Sequence, residues 1–237
     1  MIAHKASSCF GLALLLMATQ GIAAAPVAPA AAEAPQAALA PYFEIATPGP
    51  TKPDEDGFIR RWLLLEPIAK PNRTNTVFIG TYVRQALTKP YFPGQFARLP
   101  RPGDAVTVEG TPLRWHALDS TSFDIKLFNF AQALGKVTYG VIFYTVTMVD
   151  SPRDRTVRLA VGSNSASMWW VNGTETAVLF NDRRMVMDDV VSRQIRLKKG
   201  RNVIWGAIIN GPGLSDFCVR FLDESGEPVT DLSVGVI

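Results

Sequence analysis

The sequence predicts an all-β fold, an antiparallel two-sheet sandwich over residues 57–237. Three observations carry this reading. From Phe58 onward, short apolar or alternating runs recur, separated by Gly, Pro, Asn and Asp; that is the punctuation of strands and turns. The runs follow one another too closely for parallel crossovers, which need roughly a dozen linking residues, so neighbours should pair antiparallel. No strand-then-helix alternation is visible, which argues against a doubly wound sheet and for two packed sheets.

The chain opens with the grammar of a secretory signal peptide, assigned to residues 1–32. Lys5 supplies a positive start, residues 10–19 (FGLALLLMAT) a short apolar stretch, and small residues follow. The apolar stretch falls short of the roughly 20 residues needed to cross a bilayer. Ala30 and Ala32 suit a cleavage site, with cleavage after Ala24 as the rival. The expected location is therefore exported, periplasmic or secreted, with no membrane span in the mature chain. Residues 33–56 are rich in Pro and Ala and read as a semi-stiff linker.

The expected strands are 58–66, 76–79, 105–109, 112–118, 123–127, 137–148, 156–162, 167–172, 175–180, 190–197, 202–210, 217–222 and 229–234. Segment 137–148 (VTYGVIFYTVTM) is rich in β-branched and aromatic residues, as strands prefer. Asn172-Gly173 marks a tight hairpin, because both positions tolerate positive φ. Lys199-Gly200 and Ser225-Gly226 mark further turns. Short helical turns are expected only at 82–87 and 129–134. Beyond the leader the single cysteine is Cys218, in an apolar run. It forms no internal disulfide and reads as a buried, inert thiol.

The 237 residues carry 24 basic and 21 acidic side chains, a net charge of +3 that becomes +2 without Lys5. This balance gives no case for nucleic acid or an anionic membrane as the main partner.

The second half carries an ordered set of motifs: Gly162-Ser163-Asn164, then Trp169-Trp170-Val171-Asn172-Gly173, then Asp188-Asp189, then Leu197-Lys198-Lys199-Gly200 with Asn202 after it. This order resembles the galactose-binding-like jelly-roll domains found beside bacterial glycoside hydrolases and polysaccharide esterases. The resemblance covers about residues 150–230 and implies a jelly-roll sandwich; it does not imply a ligand. The motifs also have scaffold roles, in which Asn172-Gly173 permits a turn and Asn202 fixes one.

Signs of catalysis are sparse. His116 is the one histidine after the leader, and strand alternation sets it opposite Trp115 and Ala117, as for a surface histidine. No G-x-S-x-G elbow and no H-E-x-x-H motif occurs. Cofactors are expected to be none, with calcium at Asp188 and Asp189 as the one open metal.

Sugar binding needs less. A flat exposed aromatic covers the apolar face of a pyranose, and nearby polar groups bond its hydroxyls. The candidates are Trp170, Trp115, Tyr91 and Phe92, with Arg183 and Arg184 placed to meet acidic sugars. Trp170 should lie opposite Trp169 and Val171, either on the outer face of a sheet or under another layer. The expected function is an exported, non-catalytic carbohydrate-binding or accessory module of polysaccharide breakdown. Its partners would be a polysaccharide or oligosaccharide and a separate carbohydrate-active enzyme. A structural or protein-interaction sandwich without a sugar site, and a glycan hydrolase or esterase with an unrecognised site, are the alternatives.

Overall fold

The computed structural model describes residue 1 and residues 36–71, 79–180, 184–210 and 213–236. The expected leader, apart from Met1, residues 76–78 of the expected strand 76–79 and Arg183 therefore lie outside the described residues. The sandwich belongs to the compact unit that spans residues 32–237.

In chain order the elements are α1 (Gln36–Leu39), β1 (Phe43–Ile45), β2 (Arg61–Leu65), β3 (Ile68–Ala69), α2 (Gly80–Thr88), β4 (Ala105–Val108), β5 (Thr111–Ser120) and β6 (Ile125–Lys126). There follow α3 (Leu127–Ala133), β7 (Val141–Ser151), β8 (Arg155–Ser163), β9 (Ala166–Val171), β10 (Thr174–Leu179) and β11 (Val190–Val191). The last are β12 (Ile195–Leu197), β13 (Gly200–Ile209), β14 (Asp216–Leu222) and β15 (Ser233–Gly235). Among the described residues they form two sheets. The larger runs β1-β5-β2-β7-β13-β9-β10, with β3, β4 and β15 added at its margins. The smaller runs β11-β8-β14-β6, with β12 on β8. Every pairing is antiparallel. The all-β, two-sheet antiparallel sandwich is thus present.

The larger sheet is a middle layer, apolar on both faces. Along β2, Trp62 and Leu64 face the smaller sheet, while Leu63 and Leu65 face away. Along β13, Ile204 and Ile208 face inward, and Trp205, Ala207 and Ile209 outward. This is why β7 reads as a continuous apolar run rather than an alternating one. The inner layer centres on Trp62, Trp169 and Phe217, whose ring centroids lie 5.0–6.0 Å apart. Trp169 fits there because its cross-strand neighbour is Gly206; a Cβ at 206 would collide with the indole. The outer face is roofed by α2 and by the irregular connection 89–104.

The expected linker is corrected for its described part, residues 36–56. Phe43 is buried against Phe130 of α3, ring centroids 6.3 Å apart, and β1 pairs with β5. Thr51 and Val234 exchange backbone hydrogen bonds of 2.9 and 2.8 Å. The buried Arg61 binds Asp119 through Nε (2.7 Å) and Nη2 (2.6 Å) and also donates to the Gly49 carbonyl. One arginine thereby stitches the Pro-rich segment to the sheet.

The hairpin signal at Asn172-Gly173 is realised. Both residues have positive φ, 51° and 78°, and β9 pairs with β10. Asn202 fixes its turn by accepting from Lys198 N (3.0 Å) and donating to Lys198 O (2.8 Å). Cys218 is buried, and burial pushes its thiol up to about 12.

Candidate carbohydrate-binding surface

The outer layer decides the fate of the expected aromatics. Trp115 is 1% exposed and packs edge-on against Trp205 with centroids 5.8 Å apart. Phe92 is buried as well. Neither offers a free ring face, because α2 and the 89–104 connection cover this side of the sheet. Trp170 does lie opposite Trp169, half-buried under the ring of Phe96 at 5.0 Å. Tyr91 is half-buried; its hydroxyl donates to Ala86 O at 2.9 Å, and burial raises its phenol above the ordinary range. Arg184 is exposed.

The expected calcium pair is divided by its partners. Asp188 accepts from Nε of Arg220 at 3.0 and 3.1 Å, and the same guanidinium lies over Phe58. Asp189 is half-buried and has an interaction of its own. Among the described residues no group of three or more His, Cys, Asp and Glu is placed to hold a metal ion.

His116 is not at the surface. Both faces of β5 are covered, so alternation sends it into the sandwich, where its ring meets Phe130 edge-on at 5.5 Å. Its Nε2 lies 3.2 Å from Oε1 of the buried Glu66. The other Glu66 oxygen meets Lys136 Nζ at 2.9 Å. Burial pushes the Glu66 carboxyl up, but the bonds from His116 and Lys136 together hold it below its ordinary value.

Two depressions flank the β4–β5 hairpin. A groove of about 530 Å³ lies at its tip, lined by Glu109, Thr111, Lys136, Val137 and Tyr139 over an apolar floor that includes Leu113. Tyr139 is 52% exposed. It stands free because Gly140, at φ 66°, turns the chain just before β7 begins. A cleft of about 410 Å³ lies at the hairpin base. Phe92, Trp115 and Trp205 wall it, and Arg98 and Asp104 stand at its rim. Two of the expected residues, Trp115 and Phe92, therefore meet in one cleft after all.

An aromatic ring face, a carboxylate, a hydroxyl and an ammonium around one groove can stack and hydrogen-bond a sugar. Sequence reading misses Tyr139 because segment 137–148 reads as one strand. The signal for it is the glycine on its C-terminal side, Gly140, which cuts that strand short.

No protein-family model matches the chain, and no curated protein matches it in sequence. Some solved structures are similar. A PA14 sugar-binding domain from an RTX adhesin is 10% identical, with a TM-score of 0.38, over 73% of this chain and 96% of that one. The PA14 domain of the antifreeze protein MpAFP is 11% identical, with a TM-score of 0.38, over 71% and 85%. A β-glucosidase from Kluyveromyces marxianus, in complex with glucose, is 12% identical with a TM-score of 0.31. That match takes in 46% of this chain and only 14% of the glucosidase. With scores this low the likeness carries no argument of its own, and the sandwich rests on the strand pairing described above. PA14 domains stand among these matches where the motif order implied a galactose-binding-like one.

Proposed function

We propose that the protein is an exported, non-catalytic carbohydrate-binding module that serves polysaccharide breakdown beside a separate carbohydrate-active enzyme. The observation that carries the binding reading is Tyr139, an exposed ring in the wall of the groove at the hairpin tip with Glu109, Thr111 and Lys136 around it. The ring covers a pyranose face while the polar groups bond its hydroxyls. The motif order around Trp169-Trp170 supports the galactose-binding-like side of this reading.

The test is retention of the purified protein on a panel of soluble and insoluble polysaccharides, with and without calcium. Retention on one class, lost in a folded Tyr139→Ala variant, supports the proposal. Passage through every glycan sinks it.

A second reading, a protein-interaction module, is favoured by Val186 and Met187, both exposed on the strap 184–189 beside β8. A Met187→Ser variant that keeps glycan retention but loses a co-purifying enzyme would assign that strap to the partner.

A further inference from the structure

The groove and the cleft belong to one tract. Val108, Glu109, Thr111 and Leu113 at the hairpin tip line the groove, while residues 104–107 and Trp115 at its base line the cleft. At about 3.3 Å per residue along a strand, Asp104 and Glu109 are roughly 16 Å apart.

Two side-chain contacts lie between them. Glu109 meets Lys89 Nζ at 3.9 Å, and that ammonium lies 5.0 Å from the ring centre of Tyr91. Tyr91 adjoins Phe92, which walls the cleft. Aromatic groups thus stand at both ends of the tract and in its middle.

Elsewhere in the molecule Arg61, Arg84, Arg155, Arg196 and Arg220 are engaged by carboxylates. Arg98 is exposed at the cleft rim, its backbone N–H bonded to Gly94 O at 2.9 Å, and among the described residues no carboxylate engages its guanidinium. A guanidinium in that state is placed to take a carboxylate through two parallel bonds.

We infer that one extended glycan chain binds across the β4–β5 hairpin, with a sugar ring on Tyr139 and a uronic-acid carboxylate on Arg98. The ligand class is the interior of a linear acidic polysaccharide, not a single sugar or a chain end. The inference rests on the carbohydrate-binding reading and deepens it. Joining two modest sites through one ligand makes the second contact intramolecular, so affinity climbs with chain length once both are reached.

The experiment is calorimetric titration of the full chain with oligogalacturonides of increasing length and with their methyl esters. Arg98→Gln and Tyr139→Ala are the variants, and thermal melts confirm that both stay folded. Affinity is expected to step up at least about tenfold when the oligomer spans both sites. Arg98→Gln or methyl esterification should remove the step. Tyr139→Ala should weaken short and long oligomers alike. Affinity that does not grow with length, or a step that survives Arg98→Gln, overturns the inference. If the panel retains the protein on a neutral polysaccharide while no oligogalacturonide binds, the acidic-chain inference falls and the carbohydrate-binding reading stands. If nothing retains it, both fall.

Discussion

The two faces of the larger sheet are filled by different means. The inner face meets a second sheet, so regular alternation supplies its side chains, and its two indole N–H groups find acceptors. Trp62 Nε1 donates to Ile59 O at 2.8 Å and Trp169 Nε1 to Ser167 Oγ at 3.0 Å. The outer face meets one short helix and the connection 89–104. That connection exceeds the roughly 12–15 residues at which unstructured loops become uncommon and are usually functional. Its cover is partial: Phe96 sits at φ 64°, a strained value for a bulky side chain, and lies over Trp170, Trp205 and Tyr144 while remaining partly exposed. The contrast shows where a sandwich keeps its recesses. Sheet against sheet closes up, whereas sheet against loop leaves room for a ligand.

Denaturation should separate the faces most widely. Trp169→Ala removes a fully buried inner ring and is expected to cost about 3–5 kcal/mol. Phe96→Ala removes only a partly exposed ring and keeps the Cβ at its positive φ, so about 1 kcal/mol is expected. Equal costs in urea titrations would break the comparison.

The inner layer also has a charged margin. Lys126 Nζ bridges the buried carboxylates of Asp124 (2.6 Å) and Asp216 (3.1 Å). Lys126→Met leaves two buried anions without their cation and should cost about 3 kcal/mol at neutral pH. Burial holds the Asp216 carboxyl above its ordinary value, with Lys126 only partly offsetting it. Its proton is therefore bound more readily in the folded state, so its ionisation costs stability as pH rises through that raised value. The deficit of Lys126→Met should accordingly shrink as pH falls into the carboxylate range. Glu66, held below its ordinary value, works in the opposite sense. Its stabilisation is present above the ordinary glutamate value and is lost as pH falls through the lowered one. A melt series at falling pH, for the parent and both Lys126→Met and Glu66→Gln, checks the two signs.

A smaller effect tests the outer side of the smaller sheet. A Cβ at Gly162 would collide with the Val186 backbone and crowd Cys218 Sγ. Gly162→Ala should cost about 1–3 kcal/mol and lift the strap. Cys218, buried in the parent, should then react with a thiol reagent; unchanged labelling would show that the strap does not guard it. Least of all, Arg84→Ala breaks the exposed pair with Glu175 and should change stability by under about 1 kcal/mol.

Much of the sandwich is legible in the sequence because its signals are local. Asn172-Gly173 needs no tertiary context to be a turn, and Trp169 and Trp170 fall on opposite faces by strand geometry alone. The rest depends on partners far along the chain. Alternation says which residues share a face but not whether that face is covered, so His116 reads as a surface residue and Trp115 as an open ligand platform. Phe43 is inconspicuous among prolines because its contact, Phe130, lies in α3. The anchoring role of Arg61 cannot be seen without Asp119 beside it. Tyr139 is hidden in a run of strand-forming residues whose true start is set by Gly140.

The Lys126 bridge has one further consequence. Two facing carboxylates are the usual invitation to a dissolved divalent ion, whose occupancy rises and falls with its surroundings. Here the positive charge is carried on a side chain, so it can be neither chelated nor diluted away. Moving between calcium-rich and calcium-poor media, or into a strong chelator, should leave the melting temperature where it was.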